Sequence, residues 1–527
     1  MGDLQVAQQY WTDTLLDPGT LLREVGEEGS PSEPPKFKCY SGRPRQVLPQ
    51  QLPLTLGRIG DVLCGGLGEP AVPLTTGDAT NADVLGALLF YGYGFSREDV
   101  GPHRRWPHHR IVPSARCFYP TELYVCVSDR GAFPPGVYHY DQLHHALVEL
   151  RPGDHGGVVS AAIGSGNGAD VALVLTSHLW KTAFRYRHYA YRLCCQEAGM
   201  VAGNLQLVAR ALGLVARVHH QFLDSAIDHL LGLVSGDERT FAVLPLHPAA
   251  DPDGGSGAGV RSGTAVTAGE LCSTVPALAL PFLDVPKDLA SAGRTYQLDA
   301  LSTLGSTEEL RAPAPTPVST TTAAGTEVPP VGAGPDLAAT LRERTSGGGR
   351  FRPVPGAIDA TVLTWITRFA TGPAATDLGC GPLAQVYLVV LHVSGVPAGV
   401  YRCEGGVLRR CGGLPPGGIG DEVMTGTTVM DVSTVNVFCY IVQDRRHLTR
   451  WLGNRGYRTA HVDAGIVAQR ICVLAAASGL AARPTNSYLV PGIQRLLGIA
   501  DPEQTPLFQI ALGRRTSGAQ YEMGIVF

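Results

Sequence analysis

Apolar residues recur at three- and four-residue spacing from Ala198 to Leu214, a helical period that stops at Gly213-Leu214. A shorter helical run follows around Leu230. Residues 122–127, 169–175 and 240–246 are short apolar or alternating runs of strand length. Helix and strand patterns mixed on this scale predict an α+β layered domain.

The pattern occurs twice. YRLCCQEAGMVAGNLQLVARALGLVAR from Tyr191 aligns without gaps to YRTAHVDAGIVAQRICVLAAASGLAAR from Tyr457, an offset of 457 − 191 = 266. Phe222-Leu223 then falls on Tyr488-Leu489, Ile227 on Ile493, and Leu230-Leu231-Gly232 on Leu496-Leu497-Gly498. Upstream the offset is 387 − 124 = 263, where Tyr124 meets Tyr387 and the turn Gly136-Val137-Tyr138 meets Gly399-Val400-Tyr401. The expected organisation is an N-terminal extension (1–36), a first domain (37–249), a linker or arm (250–335) and a second domain (336–527). The linker opens with DPDGGSGAG and closes with APAPTPVSTTTAAGTEVPPVGAGP, too rich in Pro, Gly and Thr to pack a core. Its middle, 277–299, contains ALALPFLDV and is expected to dock as an extended arm.

With 44% hydrophobic and 17% charged residues, the 527-residue chain can bury sizeable cores. Lys+Arg total 42 against Asp+Glu 46, so there is no basic excess to neutralise a phosphate backbone, and a dedicated nucleic-acid binder is disfavoured. Lysine occurs only at Lys36, Lys38, Lys181 and Lys287, so function turns on where the 42 − 4 = 38 arginines sit. The twelve cysteines form no C-x-x-C pair and no zinc spacing, which suggests neither a disulfide framework nor a metal site and fits a reducing cytoplasm. Residues 1–17 show no basic segment followed by an apolar run, and the apolar stretches 201–218 and 471–482 are interrupted by Arg210 and Arg217 or too short to span a bilayer. They read as buried helices, with no membrane partner expected.

Five segments occur in a telling order: PSARCFYPTELYVCV from Pro113, PPGVYHYD from Pro134, RYRHYAYR from Arg185, EAGMVAGN from Glu197, and RERTSGGGRF with NRGYR in the second half. Together they resemble the SagB-type branch of the FMN-dependent nitroreductase superfamily. That branch includes dehydrogenases that oxidise peptide thiazolines and oxazolines to thiazoles and oxazoles. The resemblance implies an α+β fold that works as a dimer, with flavin bound across the interface. A tandem copy implies a pseudo-dimer within one chain.

The resemblance also distributes the site. A flavin phosphate needs fixed cations and donors, which Arg342, Arg344, Ser346 and Arg350 supply at the start of the second copy. By itself RERTSGGGR is equally a solvated basic run. In relatives, basic residues past the last core strand also reach the phosphate, and Arg514 and Arg515 stand there; subtracting 266, the first copy has His247-Pro248-Ala249. The family's PSxG-xxYP segment, which lies along the flavin from the partner subunit, matches Pro113, Ser114, Ala115 and Arg116 with Tyr119-Pro120. Without the resemblance, it is a turn entering a buried strand. At the 263 offset the second copy has Thr376-Asp377-Leu378 and Pro382-Leu383 and lacks the motif. Each half keeps what the other has lost, so one FMN per chain is expected. Pro484 and Asn486 follow the second long helix, where relatives bring backbone groups near the isoalloxazine ring.

SagB-type enzymes carry a Lys-Tyr pair upstream of Arg-Gly-Tyr-Arg; here it reads Arg185-Tyr186, with Trp451 and Leu452 in the second copy. Arginine stays protonated and stabilises a developing anion, so Tyr186 is the proton-transfer candidate. Apart from that pair, His103, His108 and His109 among Arg104, Arg105 and Arg110 read as a solvated basic loop, and Cys194-Cys195 as buried thiols. The expected activity is azoline oxidation in ribosomal, thiopeptide-like natural product assembly, with an azoline-containing precursor peptide as substrate and a cyclodehydratase as partner. Alternatives are an oxidase of carrier-bound azolines, a flavin-free peptide-binding partner of a cyclodehydratase, and a general nitroreductase using NAD(P)H.

Overall fold

The structure, a computed structural model, describes residues 3–16, 32–64, 81–99, 107–129, 133–166, 168–233, 236–249, 265–280, 285–312, 326–327, 332–379, 383–420, 430–516 and 522–524. The first half contributes strands β1 (Arg45–Val47), β2 (Phe95–Asp99), β3 (His108–Arg110), β4 (Thr121–Val127), β5 (Gly136–Asp141), β6 (Ala146–Pro152), β7 (Val171–His178), β8 (Leu214–Ala216) and β9 (Glu238–Pro248). The second contributes β10 (Thr326–Glu327), β11 (Gln385–Val390), β12 (Gly399–Glu404), β13 (Val407–Gly412), β14 (Val437–Asp444), β15 (Leu480–Thr485), β16 (Gln504–Arg514) and β17 (Glu522–Gly524). Each half builds an antiparallel sheet of the same order, β1-β6-β5-β4-β7-β9-β8 and β10-β13-β12-β11-β14-β16-β15.

Every residue of β4 and β7 is buried because both faces of the first sheet are covered. The pleat sorts the side chains. Leu123, Val125, Leu173 and Leu175 join the main core with Cys194, Cys195, Ala198 and Val201 of the long helix Ala190–Ala211. Tyr124, Cys126, Ala172 and Val174 pack on the other side against Ala226, Ile227 and Leu230. The long helix starts at Ala190, eight residues earlier than its apolar period shows, because Tyr191 and Arg192 are themselves buried at its N-terminal end.

The two halves meet through this helix and its repeat partner, Arg455–Ala477. The glycines that align in the repeat, Gly199 and Gly465, mark the crossing. A Cβ on Gly199 would lie 1.9 Å from the Val462 carbonyl oxygen, and one on Gly465 would lie 2.3 Å from that of Gln196. Only hydrogen side chains allow this approach. Arg192 donates to the Leu507 carbonyl and Arg458 to that of Thr240, so each helix sends its matched arginine into the opposite half. Arg455–Ala477 is long and apolar enough to cross a membrane, yet 89% of its most apolar window is buried inside the protein.

The segment expected as an extended arm is instead partly helical. Leu289–Ala300 docks on the first half, with Tyr296 donating to Asp237 and Tyr191 donating to Asp299. Ala268 and Leu271, on helix Ala268–Thr274, enter the outer core. The sparse apolar positions suffice because they meet an existing surface rather than each other. Helix Asp3–Leu16 lies against both long helices: the Trp11 and Tyr457 ring centroids are 4.5 Å apart, and Thr14 accepts from Arg192 through its carbonyl. At the other end of the chain, β17 returns to pair with β2 of the first half. His103, Arg104 and Arg105 lie outside the described residues; His108 and Arg110 sit on β3, and Arg110 is buried over the Tyr93 and Tyr119 rings at 4.5 and 4.6 Å.

Candidate functional site

The loop 113–119 enters β4 from the first half. Ser114 Oγ accepts from the Tyr119 amide at 2.9 Å and donates to Glu197 Oε2 at 2.5 Å. Arg116, Cys117 and Tyr119 have φ of 53°, 58° and 49°, a left-handed conformation that costs non-glycine residues about 1–3 kcal/mol each. Such strain persists only where surrounding contacts over-determine it.

Against this loop stands Arg344 of the second half. Its guanidinium is buried and donates to the carbonyls of Ile111 (2.5 Å) and Arg110 (3.3 Å) and to Ser346 Oγ (3.3 Å). Arg483 on β15 joins it, donating to the Ser346 carbonyl at 2.9 Å and to that of Gly348. From the first half, Arg97 donates to the Arg344 carbonyl at 2.8 Å. Burial first, and the like charge of Arg97 second, press the Arg344 guanidinium down to about 10. Among the described residues, Arg344 and Arg483 direct their hydrogen bonds to neutral oxygens, and these cations gather from both halves at a place suited to an anion.

The other arginines expected at a phosphate turn elsewhere. Arg342 bonds the Tyr91 hydroxyl, Arg350 is exposed, Arg514 donates to the Pro355 carbonyl at 3.2 Å, and Arg515 pairs with Glu343 at 3.4 Å. Arg514 and Arg515 line a separate cleft of about 800 Å³ with Asp359 and Trp365. The reason is register: Arg514 opposes Leu480 at one end of β15, whereas Thr485, next to Asn486, opposes Gln509 at the other.

Helix Ala190–Ala211 holds both lips of the site with adjacent residues. Glu197 takes Ser114 of the first-half loop, while Gln196 and Asn486 of the second half exchange amide hydrogen bonds at 2.7 and 3.3 Å. Pro484 sits just before, at the end of β15. Tyr186 closes the helix Leu179–Tyr186, its ring centroid 6.4 Å from Phe118. Burial raises its phenol above the ordinary value, and Arg116 and Arg185, which both face it, pull it down. The loop, Arg344, Ser346, Arg483, Asn486 and Tyr186 thus come together, as do Arg116 and Arg185 at the phenol. Pro113 and Ala115 flank Ser114 at half-buried positions.

The reciprocal location is closed. The amides of His220 and Gln221, equivalent to Asn486 and Ser487, donate to Asp377 at 3.0 and 2.9 Å, and Val218 donates to the Ala375 carbonyl. Asp377 stands where Ser114 would be, so segment 375–377 fills the space. Sequence reasoning missed Arg97, Arg483, Gln196 and Glu197. Two polar residues inside an apolar helix were the available signal for Gln196 and Glu197; Arg97, on a short strand, offered none.

These observations meet the comparisons with known proteins. The nitroreductase family model matches residues 96–246 and 433–514, one stretch in each half. An Anabaena variabilis crystal structure described as a nitroreductase superposes with a TM-score of 0.71 at 20% identity, covering 97% of this chain and 99% of that one. A nitroreductase-type protein of Methanocaldococcus jannaschii is 29% identical over 150 residues, 28% of this chain and 72% of its own length. Each half carries a stretch that matches the nitroreductase family model, and the chain has a nitroreductase fold in each half. The chain is also similar to McbC, the microcin B17-processing protein of Escherichia coli, at 30% identity over 158 residues, 28% of this chain and 55% of McbC.

Proposed function

We propose that this chain is an FMN-dependent oxidase that converts thiazolines or oxazolines of a ribosomally made peptide to the aromatic azoles, with one FMN per chain and a cyclodehydratase as the source of its substrate. The match to the nitroreductase family model supports an oxidoreductase. The observation that carries the finer reading is the cation group of Arg97, Arg344 and Arg483 facing the 113–119 loop beside Tyr186. Similarity to a microcin-processing protein supports a peptide substrate.

The residues fit the cofactor. Arg344, Arg483 and Ser346 would hold the phosphate, and Ser114, Ala115 and Asn486 would flank the ring system. FMN, when bound, supplies the hydride acceptor. Aromatising an azoline removes a proton and a hydride from adjacent ring carbons. Tyr186 would accept the proton at its phenolic oxygen as the phenolate, a form that Arg116 and Arg185 favour against the burial that raises the phenol. The closed reciprocal location supports a single FMN.

The test is incubation of the FMN-loaded chain with an azoline peptide, scoring loss of two hydrogens per ring by mass spectrometry. We predict that Tyr186→Phe keeps flavin and lowers turnover about 100-fold or more. Loss of flavin in that variant would make Tyr186 structural. Rapid flavin reduction by NADPH with no azole formed would replace the reading by a general nitroreductase.

A further inference from the structure

Glu197 is 5% exposed, yet none of the chemistry above uses it. Its carboxylate takes Ser114 Oγ at 2.5 Å, Tyr93 OH at 3.2 Å and the Thr121 amide, collecting donors from the loop, a neighbouring helix and the start of β4. The loop it grips carries three non-glycine residues in the left-handed region within four positions. A backbone so strained relaxes unless held. Ser114 ties the loop to this carboxylate, because the same oxygen that donates to Glu197 accepts the Tyr119 amide.

The repeat supplies an internal comparison. Asp463 aligns with Glu197 at the 266 offset and is equally buried, but its carboxylate accepts from the Leu383 amide at 3.0 Å and from Gln443 at 2.6 Å. Asp377, aligned with Ser114, accepts instead from the His220 and Gln221 amides. Both carboxylates take the amide at the start of the matched strand, Thr121 for Glu197 and Ala384 for Asp463; among the described residues, the bond that sets Glu197 apart is the one from Ser114 of the strained loop.

We propose that Glu197 is a positioning residue of the cofactor site, whose buried carboxylate holds loop 113–119 in its left-handed form and so sets one lip of the flavin slot, while its neighbour Gln196 sets the other through Asn486. The role assigned to the loop rests on the FMN reading above. The hold on the loop does not.

The experiment compares Glu197→Ala, Glu197→Gln and the matched control Asp463→Ala in the full chain, by amide hydrogen exchange without flavin and by FMN titration. Glu197→Ala is expected to raise exchange in 114–120 at least tenfold and to weaken FMN binding about 10- to 100-fold, the loss of hydrogen bonds to a charged acceptor. Glu197→Gln is expected to recover most of both, and Asp463→Ala to leave both at wild-type values. Equal loop protection in all three proteins overturns the hold, as does loss of protection throughout the first half in Glu197→Ala without rescue by Glu197→Gln. A freed loop with unchanged FMN affinity overturns the positioning role. If the wild type binds no FMN, the flavin reading fails, and the exchange measurement still decides whether Glu197 holds the loop.

Discussion

Substituting Gly199 by alanine perturbs the contact on which a site shared between the halves depends. The added methyl would lie 1.9 Å from the Val462 carbonyl oxygen and 2.7 Å from its carbon. Reaching a tolerable separation of about 3 Å requires the long helices to part by about 1 Å, in a core that resists overpacking. Overpacking typically costs about 1–3 kcal/mol, and a clash with backbone, which has no rotamer to change, belongs at about 3 kcal/mol or above. At about 2.1 cal/mol/K per residue, a 527-residue unit has an unfolding entropy of about 1.1 kcal/mol/K, so Tm should fall by about 3 °C if the chain melts as one unit. The same displacement stretches the 2.7 Å bond from Asn486 to Gln196, so FMN affinity should fall with stability. Differential scanning calorimetry and FMN titration measure both. Gly157→Ala, with open space around the added methyl, is the control and should be neutral or slightly stabilising. A Gly199→Ala protein with wild-type Tm and FMN affinity would refute the close crossing.

Two further predictions concern the carboxylates of Glu197 and Asp377. Burial lifts Glu197 from the ordinary 4.5 to about 7, so the folded chain binds its proton more tightly than the unfolded chain, and this contribution to stability falls as pH rises from about 4.5 through 7. Its full size is about 3 kcal/mol, and urea denaturation between pH 5.5 and 8 should show a shallower decline in Glu197→Gln than in the wild type; parallel slopes would contradict it. Asp377→Ala should destabilise the chain by about 1–3 kcal/mol, because the amides of His220 and Gln221 lose their acceptor, yet bind no additional FMN; a second equivalent of flavin would show that Asp377 alone closes the reciprocal location.

Much of the fold was legible because the repeat is strong: the aligned positions Tyr191 and Tyr457 stack at 6.1 Å, and the two sheets share one strand order. Helix Leu289–Ala300 was not, since its buried Ala292, Thr295 and Leu298 give a weak apolar signal and find their partners only in the first half. Within the site, Ser114, Arg344 and Ser346 stood in motifs and were found together. Arg483 and Arg97 join Arg344 through tertiary packing, and Arg514 lies on a separate cleft because a sequence position just past a strand does not say toward which end of its neighbour the side chain lies.

The central claim is that two degenerate copies make one cofactor site. It is tested most directly by the FMN content of the purified chain after saturation with FMN and removal of excess, with protein measured by amino-acid analysis. The account predicts one FMN per polypeptide, reduced by Arg344→Ala. Two FMN per polypeptide, or none, would contradict it.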